Sequence, residues 1–476
     1  MAGYVEGVDR GQASLFPDRL EDFVGENNPV RVVDAFVDAL DLRALGFARA
    51  QPTSMGRPSY HPAMLLKLYV YGYLNRIASS RRLEREAARN VELMWLTGRL
   101  APDHKTIADF RRDSGPAIRR ACSQFMLLCR RMGMLGEAVV AIDGSKFKAV
   151  NNRDQNFTSA KMQRRLAEIE AAIGRYMAEM DGADAAEPGG QARVEHLEQK
   201  LASLHTYMAE LKLVDEQLRA SPDGQVSLTD PDARSMNARG SGIVGYNVQA
   251  AVEAEHHLIV AHEVVMTGSD RAQLSPMAAK AQEATGASRT EVVADRGYYS
   301  GPEVLACEEA GISAHVVKPI TSNAVADGRF GKGEFVYDAS SNSYRCPAGE
   351  VLTHRSTATE NGMAIRLYWT SGCGTCPMRI HCTTGNQRRV RRWEHEHVLE
   401  AMQQRLAERP TLMRLRRSTV EHVFGTIKNW MGATHFLTRG LANVRTEISL
   451  QVLAYNLKRV MGIVGIAPLM AAIRAD

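Results

Sequence analysis

Apolar residues recur along the chain with two different periods, and the change between them falls near residue 135. In the first part they keep mixed helical spacing, as in "PSYHPAMLLKLYVYGYLNRIASSRRLEREAARN", where Pro62 suits a first helical turn. In "APDHKTIADFRR", Asp103 can cap a short helix that presents Arg111 and Arg112. We therefore predict a helical region over residues 1–135.

Short β-branched runs replace this pattern from about residue 138 onward. They are "AVVAIDGSKFKAV", "GIVGYNVQAAVE", "HHLIVAHEVVM", "TEVVADRGYYS" and "ISAHVVKP". Two charged helical segments joined by a Pro-Gly-Gly turn follow the first run, which predicts a helical hairpin over residues 158–224. Because strand patterns lie on both sides of the hairpin, we interpret it as an insertion into one sheet.

The remaining boundaries follow changes in composition. A Cys-rich and Arg-rich stretch punctuated by glycine occupies residues 341–399, and long helical segments close the chain. A chain of 476 residues exceeds the usual single hydrophobic core, so two or three domains are expected. We predict a mixed α and β fold of the α+β type, with a strand-bearing core formed by residues 136–157, 225–340 and 400–465. The hairpin and the Cys-rich stretch interrupt this core, and the all-helical region precedes it.

Composition and charge narrow the class of protein only modestly. Apolar residues make up 45% and charged residues 24%, as in ordinary globular proteins. A net charge of +5 and a pI near 8.8 permit nucleic-acid binding without demonstrating it. The N-terminus lacks a basic segment followed by an apolar run, and the longest late apolar run is short and contains Pro468. We expect a cytoplasmic protein with no membrane span.

Two aspartates end apolar runs that have the pattern of buried strands. Asp143 follows "AVVAI", and Asp295 follows "TEVVA". An aspartate at such a junction often only accepts hydrogen bonds from backbone N–H groups. A buried carboxylate is nevertheless costly unless a partner compensates its charge. Each aspartate taken alone therefore leaves a structural and a functional interpretation open.

A third acid lies in a predicted helix near the end of the chain. In "RLRRSTVEHVFGTIKNWMG", apolar residues recur at helical spacing from Val420 to Trp430, so one side of the helix is expected to pack on the protein. Glu421 lies within this pattern, and Arg417 and Lys428 fall on nearly the same face at 100° per residue. The three charges fit either a structural ladder of ion pairs or a metal-binding carboxylate beside phosphate-binding cations.

Phosphodiester chemistry would use such a set of acids. Cleaving or joining a phosphodiester develops charge on the attacking and leaving oxygens, which two Mg²⁺ ions roughly 3.5–4 Å apart stabilise. Mg²⁺ prefers carboxylate, water and phosphate oxygens, and carboxylates share a small site only when a cation neutralises them. A bound metal would therefore account for both aspartates and for Glu421.

The three acidic segments also resemble a known family. "AIDGSKFKA", "VVADRGYYS" and "RSTVEHVFGTIKNW" are similar to the three acidic blocks of DDE transposases from bacterial insertion sequences. The most similar branch has a helical N-terminal region, a Cys-containing insertion and a Tyr-x2-Arg-x3-Glu-x6-Lys pattern around the last acid. Arg417, Glu421 and Lys428 match this pattern, whereas the tyrosine position holds Arg414.

The resemblance implies a fold, a mechanism and partners. The core would be ribonuclease-H-like, and Asp143, Asp295 and Glu421 would hold two Mg²⁺ or Mn²⁺ ions at the catalytic site. Water would cleave at the transposon ends, and the freed 3′ hydroxyl would attack target DNA. The implied partners are terminal inverted repeats and target DNA, bound by a homodimer when two ends are paired. Independently of the resemblance, a cluster of arginines makes the N-terminal region 1–135 a candidate DNA-binding region, with a solvated helix face as the alternative; they are Arg76, Arg81, Arg82, Arg85 and Arg89.

The resemblance also assigns cations to the DNA. Arg417 and Lys428 would contact phosphate near the scissile position. Lys146, Lys148 and Arg296 would help to guide the DNA backbone, and ordinary surface charge is an equal alternative for these three residues.

A run of arginines in "QRRVRRWEHEH" follows the cysteine-rich segment. It lies beside Trp393 and suits contact with a nucleic-acid backbone, with base stacking on the tryptophan. A solvated linker is the alternative interpretation. The arginines are Arg388, Arg389, Arg391 and Arg392.

Four of the seven cysteines gather in one segment. They are Cys346, Cys373, Cys376 and Cys382. A Cys-x2-Cys step brings two thiolates to one metal, and four sulfurs suit tetrahedral Zn²⁺, with His354 and His381 as substitutes. Free thiols and an iron–sulfur site are the alternatives. The odd total argues against a disulfide framework, and Cys122, Cys129 and Cys307 are expected to pack in the core.

These observations lead to one favoured function and two rivals. The favoured hypothesis is a metal-dependent DNA transposase that cleaves transposon ends and joins them to target DNA. A nuclease that cuts without joining would keep the same fold. A DNA-binding regulator of the element with an inactive site is the third hypothesis, and the presence of all three acids argues against it.

Overall fold

A computed structural model describes residues 19–51, 59–135, 139–184, 191–238, 241–319 and 323–475. The N-terminal segment that lacks the pattern of a secretory signal lies outside these residues, as do Pro188, Gly189 and Gly190 of the predicted hairpin turn. Helices and strands occur along the whole described part, so the predicted mixed α/β class is confirmed.

Six helices form the N-terminal region. They are α1 (Pro29–Asp38), α2 (Pro62–Leu74), α3 (Ser80–Ala87), α4 (Val91–Thr97), α5 (His104–Asp113) and α6 (Gly115–Arg131). α1 and α2 begin with a proline at the first helical position, and the Asn28 and His61 side chains accept N–H groups that the helix start leaves free. Asp103 caps α5 as predicted, by accepting the N–H groups of Lys105 and Thr106.

The arginines of this region divide between the interior and the surface. Arg111 is buried, with its guanidinium over the Tyr69 ring and Nη1 3.3 Å from the Tyr73 hydroxyl. The prediction that α5 presents Arg111 outward is therefore wrong, whereas Arg112 is exposed. The exposed arginines on and next to α3 are Arg76, Arg81, Arg82, Arg85 and Arg89.

Strands and further helices follow. The strands are β1 (Val139–Lys148), β2 (Asn156–Thr158), β3 (Gln225–Ser227), β4 (Arg234–Ala238), β5 (Ser241–Glu253), β6 (Ile259–Val265), β7 (Thr290–Ala294), β8 (Ile312–Val316), β9 (Val336–Asp338), β10 (Ser343–Arg345), β11 (Val351–Glu360), β12 (Met363–Trp369) and β13 (Val390–Trp393). The helices are α7 (Ser159–Asp184), α8 (Gln191–Ala220), α9 (Leu274–Thr285), α10 (Gly301–Glu309), α11 (Asn323–Ala326), α12 (Glu396–Glu408), α13 (Leu412–Gly425), α14 (Leu441–Val464) and α15 (Ile466–Arg474).

A six-stranded mixed sheet forms the centre of the protein. Its order is β4-β5-β1-β7-β8, and β6 also pairs with β5. β5 is antiparallel to β1, β4 and β6, whereas β1, β7 and β8 are parallel. The apolar runs quoted above supply β1, β5, β6, β7 and β8, and their two-sided hydrophobicity fits a sheet covered by helices.

α7 and α8 leave the sheet after β1 and return before β4. They pack on each other around a small core of their own, and β2 pairs with β3 at its base. This helical pair occupies the segment for which we predicted a hairpin insertion. Its core contains Phe157, Met162, Ile169, Ile173, Leu201, Leu211, Val214 and Leu218.

A second sheet of five antiparallel strands follows the central one. Its order, β13-β12-β11-β10-β9, makes strands consecutive in sequence neighbours in space. It begins at Val336, slightly before the predicted boundary at residue 341. The small core of this sheet consists of Phe335, Tyr344, Leu352, Tyr368 and Val390.

One contiguous hydrophobic core joins the N-terminal helices to the central sheet. α14 is buried along most of its length and packs against α2, α6 and β6. The N-terminal region therefore shares its core with the strand-bearing part of the chain. Among the described helices, none alone has the length and apolar character to cross a membrane. α14 and α15 meet those criteria only as a pair, which bends by 112°.

His262 on β6 makes the stability of this core depend on pH. Burial lowers its pKa to about 4, and a ring nitrogen shares a 2.8 Å hydrogen bond with the Ser449 hydroxyl. Below about pH 6.5 the imidazole binds a proton in the unfolded chain but stays neutral in the folded protein. The free energy of unfolding therefore falls as the pH drops toward 4. Allowing for partial exposure of the side chain, we expect this residue to account for a loss of about 2 kcal/mol between about pH 7 and pH 4.5.

Urea denaturation across this pH range checks the expectation. His262→Gln should flatten the acid side of the stability curve, whereas His205→Gln, on the exposed side of α8, should leave the slope unchanged. An unchanged slope in His262→Gln would contradict the account.

Candidate functional site

Asp143 and Asp295 lie side by side where the parallel pairing of β1 and β7 ends. The last pair in register is Ile142 with Ala294, so each aspartate occupies the next position along its chain. The chain turns after Asp295 because its carboxylate accepts the N–H of Gly297 at 2.8 Å and begins a 3₁₀ turn. Pairing of two apolar runs thus brings together two carboxylates that are distant in sequence.

One guanidinium contacts both carboxylates. Arg416 of α13 has Nη2 2.9 Å from an Asp143 oxygen and 3.7 Å from an Asp295 oxygen. Because the same nitrogen contacts both carboxylates, the distance between the two oxygens cannot exceed the sum of these two distances. Arg416 is on the buried face of α13 with Val420 and Val423. The aspartates therefore share one small site that holds positive charge.

A divalent cation fits this site by charge and by ligand type. Burial raises the pKa of Asp143 to about 6, although Arg416 acts in the opposite direction. The negative charges of Asp295 and Asp270 add to the rise. One guanidinium thus leaves the carboxylates incompletely compensated, and carboxylate oxygens are the ligands that Mg²⁺ prefers.

A third aspartate, Asp270, lies beside the pair. Its carboxylate accepts hydrogen bonds from the side-chain amides of Asn247 and Gln249, each at 2.7 Å, and Lys146 Nζ is 3.3 Å away. Gln249 in turn accepts a hydrogen bond from the Tyr298 hydroxyl in the turn after β7. Asp270 thereby connects β1, β5 and the turn that carries the second aspartate.

Gly144 is crowded by this network. A methyl group on it would lie 2.7 Å from Asp270 Oδ1 and 3.0 Å from Asn247 Oδ1. Because the network would have to shift, we expect Gly144→Ala to lower the free energy of unfolding by about 2–3 kcal/mol in urea denaturation. Gly174→Ala on α7 is the matched control, since nothing lies within 4 Å of the added methyl. It should be neutral or stabilise by up to about 1 kcal/mol; equal losses in both variants would contradict the crowding.

α13 presents Arg417 and Glu421 on its exposed side. Glu421 follows Arg416 by five residues, about 140° around the helix axis, so the two side chains leave the helix in different directions. Within the described residues, the carboxylate oxygens of Asp143, Asp295 and Glu421 do not form a group within 4.8 Å of one another. The structure brings two of the three predicted acids together, and the third lies on a helix that packs on β1 and β7.

Lys428 reaches β1 from the segment after α13. Its Nζ donates to the Ser145 hydroxyl at 2.6 Å and to the Lys146 carbonyl at 2.8 Å. The segment Thr426–Trp430 is a π-helical turn, a feature frequent at functional sites. The wider turn changes the phase of the helix, and Trp430 is 71% exposed, so the prediction that it packs inward is wrong.

The other predicted cations differ in availability. Lys148 and Arg296 are exposed, whereas Lys146 is ion-paired with Asp270. Only the first two are thus open to a ligand without breaking that pair.

The arginine run is only partly accessible. Arg389, which directly precedes β13, and Arg391 within it are exposed, whereas Arg392 points inward from the strand and its guanidinium binds Glu400 at 2.9 Å. Arg392 is 6% exposed and Trp393 is 7% exposed. The expectations of phosphate contact by Arg392 and of base stacking on Trp393 therefore do not fit this structure.

Four cysteines next to the second sheet line one cavity, together with Arg388. Cys346 follows β10, Cys373 and Cys376 belong to a 3₁₀ turn after β12, and Cys382 ends the next 3₁₀ turn. These four residues are the cysteine cluster. The remaining cysteines are buried, as predicted for packing residues: Cys122, Cys129 and Cys307.

Another group of potential ligand atoms is compact. Glu253, Glu255 and His256, in the turn between β5 and β6, have three such atoms within 4.8 Å of one another. The buried Glu253 carboxylate accepts the backbone N–H groups of Glu255 and His256, the latter at 2.7 Å. Hydrogen bonding within the turn therefore accounts for this group.

Two charged residues of the site, Arg416 and Asp270, were not predicted. Arg416 is four residues before Val420 on the apolar face of α13, and an arginine in such a stripe indicates a buried acidic partner. Asn247 and Gln249 alternate with apolar residues along β5 and are fully buried, so they too required a polar partner. These signals were present in the sequence, but they did not identify the partner.

Two family models match the chain. A Transposase domain (DUF772) model matches residues 18–113, which contain the first five helices. A Transposase DDE domain model matches residues 345–461, which contain Glu421 and the cysteine cluster. No curated protein matches the chain. The two matches lie in separate parts of the sequence, and together they support a DDE transposase of an insertion element.

Proposed function

We infer that the protein catalyses metal-dependent cleavage of DNA at the ends of its element and transfer of the freed 3′ end into target DNA. Transposases act on DNA. The observation that carries the specific chemistry is the meeting of Asp143 and Asp295 on adjacent parallel strands around one guanidinium. Partly buried carboxylates whose charge is incompletely compensated supply the oxygen ligands that a phosphodiester-cleaving metal site uses.

A ribonuclease-H-like core is supported by the order of the strands. β5 and β6 follow β1 as an antiparallel pair on one side, and β7 and β8 extend the other side in parallel. The first aspartate is on the first strand, and the second comes directly after the strand that pairs with it in parallel. α13, which carries Glu421, follows later and packs on both strands. This is the order of acids that the family resemblance implies.

Asp143 and Asp295 would hold Mg²⁺ or Mn²⁺, and Glu421 would complete the ligand set from α13. When bound, the ions would lower the pKa of the attacking water and stabilise charge on the scissile phosphate. Since Glu421 is on the exposed side of α13, it would join the site through a change in its side-chain rotamer or through a shift of that helix. Arg416 is on the same helix, so a shift would also move its guanidinium relative to the aspartates.

The cations around the site would orient the DNA backbone. Lys428, fixed against β1, and the exposed Arg417 would contact phosphate near the scissile bond, with Lys148 and Arg296 farther along. Lys146 would reach phosphate only by leaving Asp270. The exposed arginines of α3 and the outward arginines of β13 would bind the transposon end, in a salt-dependent manner.

Pairing two ends needs two active sites, and we therefore propose a homodimer when DNA ends are bound. The DNA of a bacterial element lies in the cytoplasm, where the protein would act. Light scattering should show two chains and two end duplexes in the DNA-bound complex. The free protein should have the mass of one chain or of a dimer. A complex with one chain per pair of ends would contradict the dimer.

One experiment tests the proposed function. The protein is incubated with Mg²⁺ or Mn²⁺ and DNA that carries the sequences flanking its own gene, and cut and joined products are separated on a denaturing gel. We expect cuts at the element's ends followed by joining to a target plasmid. Cuts without joining would support the nuclease instead, and specific binding without cuts would support the regulator.

A further inference from the structure

The cysteine cluster is brought together by three separate turns. Cys346 begins a tight turn that closes when Gly349, with φ of +85°, donates its N–H to the Cys346 carbonyl at 2.9 Å. Cys376 donates its N–H to the Cys373 carbonyl at 3.4 Å, so these two residues share one turn. Cys382 ends a further 3₁₀ turn. Residues from β10 to β13 thus supply four sulfurs to one cavity.

The cavity suits a single ion. All four cysteines line it, and the free space at its centre is about 20 Å³, roughly the room of one water molecule. A small organic ligand needs a pocket of several hundred Å³, so it does not fit there. The lining also includes Phe335 and Leu352 from the small core of the second sheet, and Cys346 and Cys382 pack against that core.

The charges around the cavity are positive on balance. Arg379 and Arg388 line it together with one carboxylate, Glu350. Arg388 donates to the backbone carbonyls of Phe330 and Cys382, at 3.1 and 3.4 Å, and its guanidinium lies over the Phe335 ring. A divalent ion held by four thiolates carries a net charge of −2, which this positive lining would partly offset. Arg388 therefore has a role inside the segment rather than on DNA.

We propose that the four thiolates of the cysteine cluster bind one Zn²⁺ ion, at a site separate from the catalytic aspartates. Four sulfurs in a cytoplasmic protein are the donor set of closed, tetrahedral structural zinc sites. On binding, the four thiols would lose their protons to solvent as four sulfur–zinc bonds form. Zinc neither gains nor loses an electron in this step, so no oxidant or reductant is needed.

The ion would draw the three turns closer together. Zinc–sulfur bonds are about 2.3 Å long. Among the described residues, a group of three ligand atoms within 4.8 Å occurs at Glu253, Glu255 and His256, and no three sulfurs of the cysteine cluster are that close. Side-chain rotation and closure of the 3₁₀ turns would bring the four sulfurs to the distance from zinc that these bonds require. The segment would therefore be tighter with zinc than without it.

Zinc would also supply stability that this segment lacks. The core of the second sheet contains five buried side chains, and the stretch between β12 and β13 has no regular structure beyond two 3₁₀ turns. Cores of this size usually need a disulfide or a metal. Coordination of zinc by four thiolates would hold both turns against the sheet. It would also order the start of β13, where the exposed Arg389 and Arg391 lie.

Metal analysis of the full-length protein, purified without a histidine tag or chelator, tests the proposal. We expect one zinc per chain by plasma mass spectrometry, and none in Cys376→Ser. Cys122→Ala is the matched control, because this thiol is buried in α6 outside the cluster, and it should retain one zinc. Asp143→Asn should also retain it, which separates this ion from a catalytic metal.

Two further measurements keep the proposal testable if Cys376→Ser fails to fold. Wild-type protein reconstituted with Co²⁺ should show thiolate-to-cobalt charge transfer in the near ultraviolet and the visible bands of tetrahedral cobalt. Removal of zinc by a chelator should raise hydrogen exchange in residues 343–390 and leave the central sheet protected. Wild-type protein with four titratable thiols in the cluster and no zinc, or with iron and labile sulfide, would overturn the proposal.

Discussion

Replacing Asp143 or Asp295 by asparagine should lower the rate of DNA cleavage by at least about 1,000-fold, because the site would lose the metal that stabilises charge in the transition state. Each tenfold loss of rate corresponds to about 1.4 kcal/mol of activation free energy. Asparagine keeps the size of the side chain and removes the charge that a divalent ion requires. Binding to end duplexes should be nearly unchanged, since the exposed cations of the site remain. Single-turnover cleavage with Mg²⁺ and Mn²⁺, beside gel-shift titration, separates the two effects.

Asp181→Asn is the control for this pair, because Asp181 is an exposed aspartate of α7 in the helical hairpin. It should cleave at the wild-type rate. Cleavage by Asp143→Asn within tenfold of wild type would rule out the aspartate as a metal ligand. A parallel loss of DNA binding would instead indicate that the substitution disrupts the fold.

Arg416→Gln should destabilise the metal-free protein and make it more responsive to metal. The guanidinium is 10% exposed and bridges two carboxylates, so its removal leaves buried negative charge. The free energy of unfolding should fall by about 2 kcal/mol, less than for a fully buried pair because the Asp295 side chain is 42% exposed. Adding Mn²⁺ should restore more stability to Arg416→Gln than it adds to wild type, because the guanidinium no longer competes for the carboxylates.

Arg417→Gln is the matched control on the next residue of the same helix. Arg417 is exposed, so its loss should leave stability in chelator within about 0.5 kcal/mol of wild type. Thermal melts of both variants, with chelator and with Mn²⁺, provide the comparison. Equal metal responses in wild type and Arg416→Gln would show that the guanidinium does not occupy the metal position.

Local patterns predicted much of the fold. The runs in β1 and β7 are apolar on both faces and end abruptly at an aspartate, so both strands and both charged positions could be recognised. Asp143 does not end its strand, however, because β1 continues to Lys148 through its pairing with β5. The cap at Asp103 was equally local. The meeting of Asp143 and Asp295 follows once these two strands pair in parallel, and the family resemblance supplied that order of strands.

Contacts between distant elements could not be predicted in the same way. Arg416 is one of three arginines within "RLRRSTVEHV", and only the packing of α13 shows that it faces the aspartates. Trp430 is the last residue of a π-helical turn, which a pattern of 3.6 residues per turn does not predict. Arg392 turns inward because β13 is a strand, whereas a linker would have exposed it.

Iron-directed cleavage of the protein backbone tests most directly whether the three acids share one metal site. Fe²⁺ replaces Mg²⁺ in the complex with end DNA, and ascorbate with peroxide generates radicals that cut the nearby chain. We expect cuts close to residues 143, 295 and 421, suppressed by excess Mg²⁺ and absent in Asp143→Asn. Cuts that avoid residues 143 and 295, or that Mg²⁺ does not suppress, would contradict a shared site, and cuts that spare residue 421 would remove Glu421 from it.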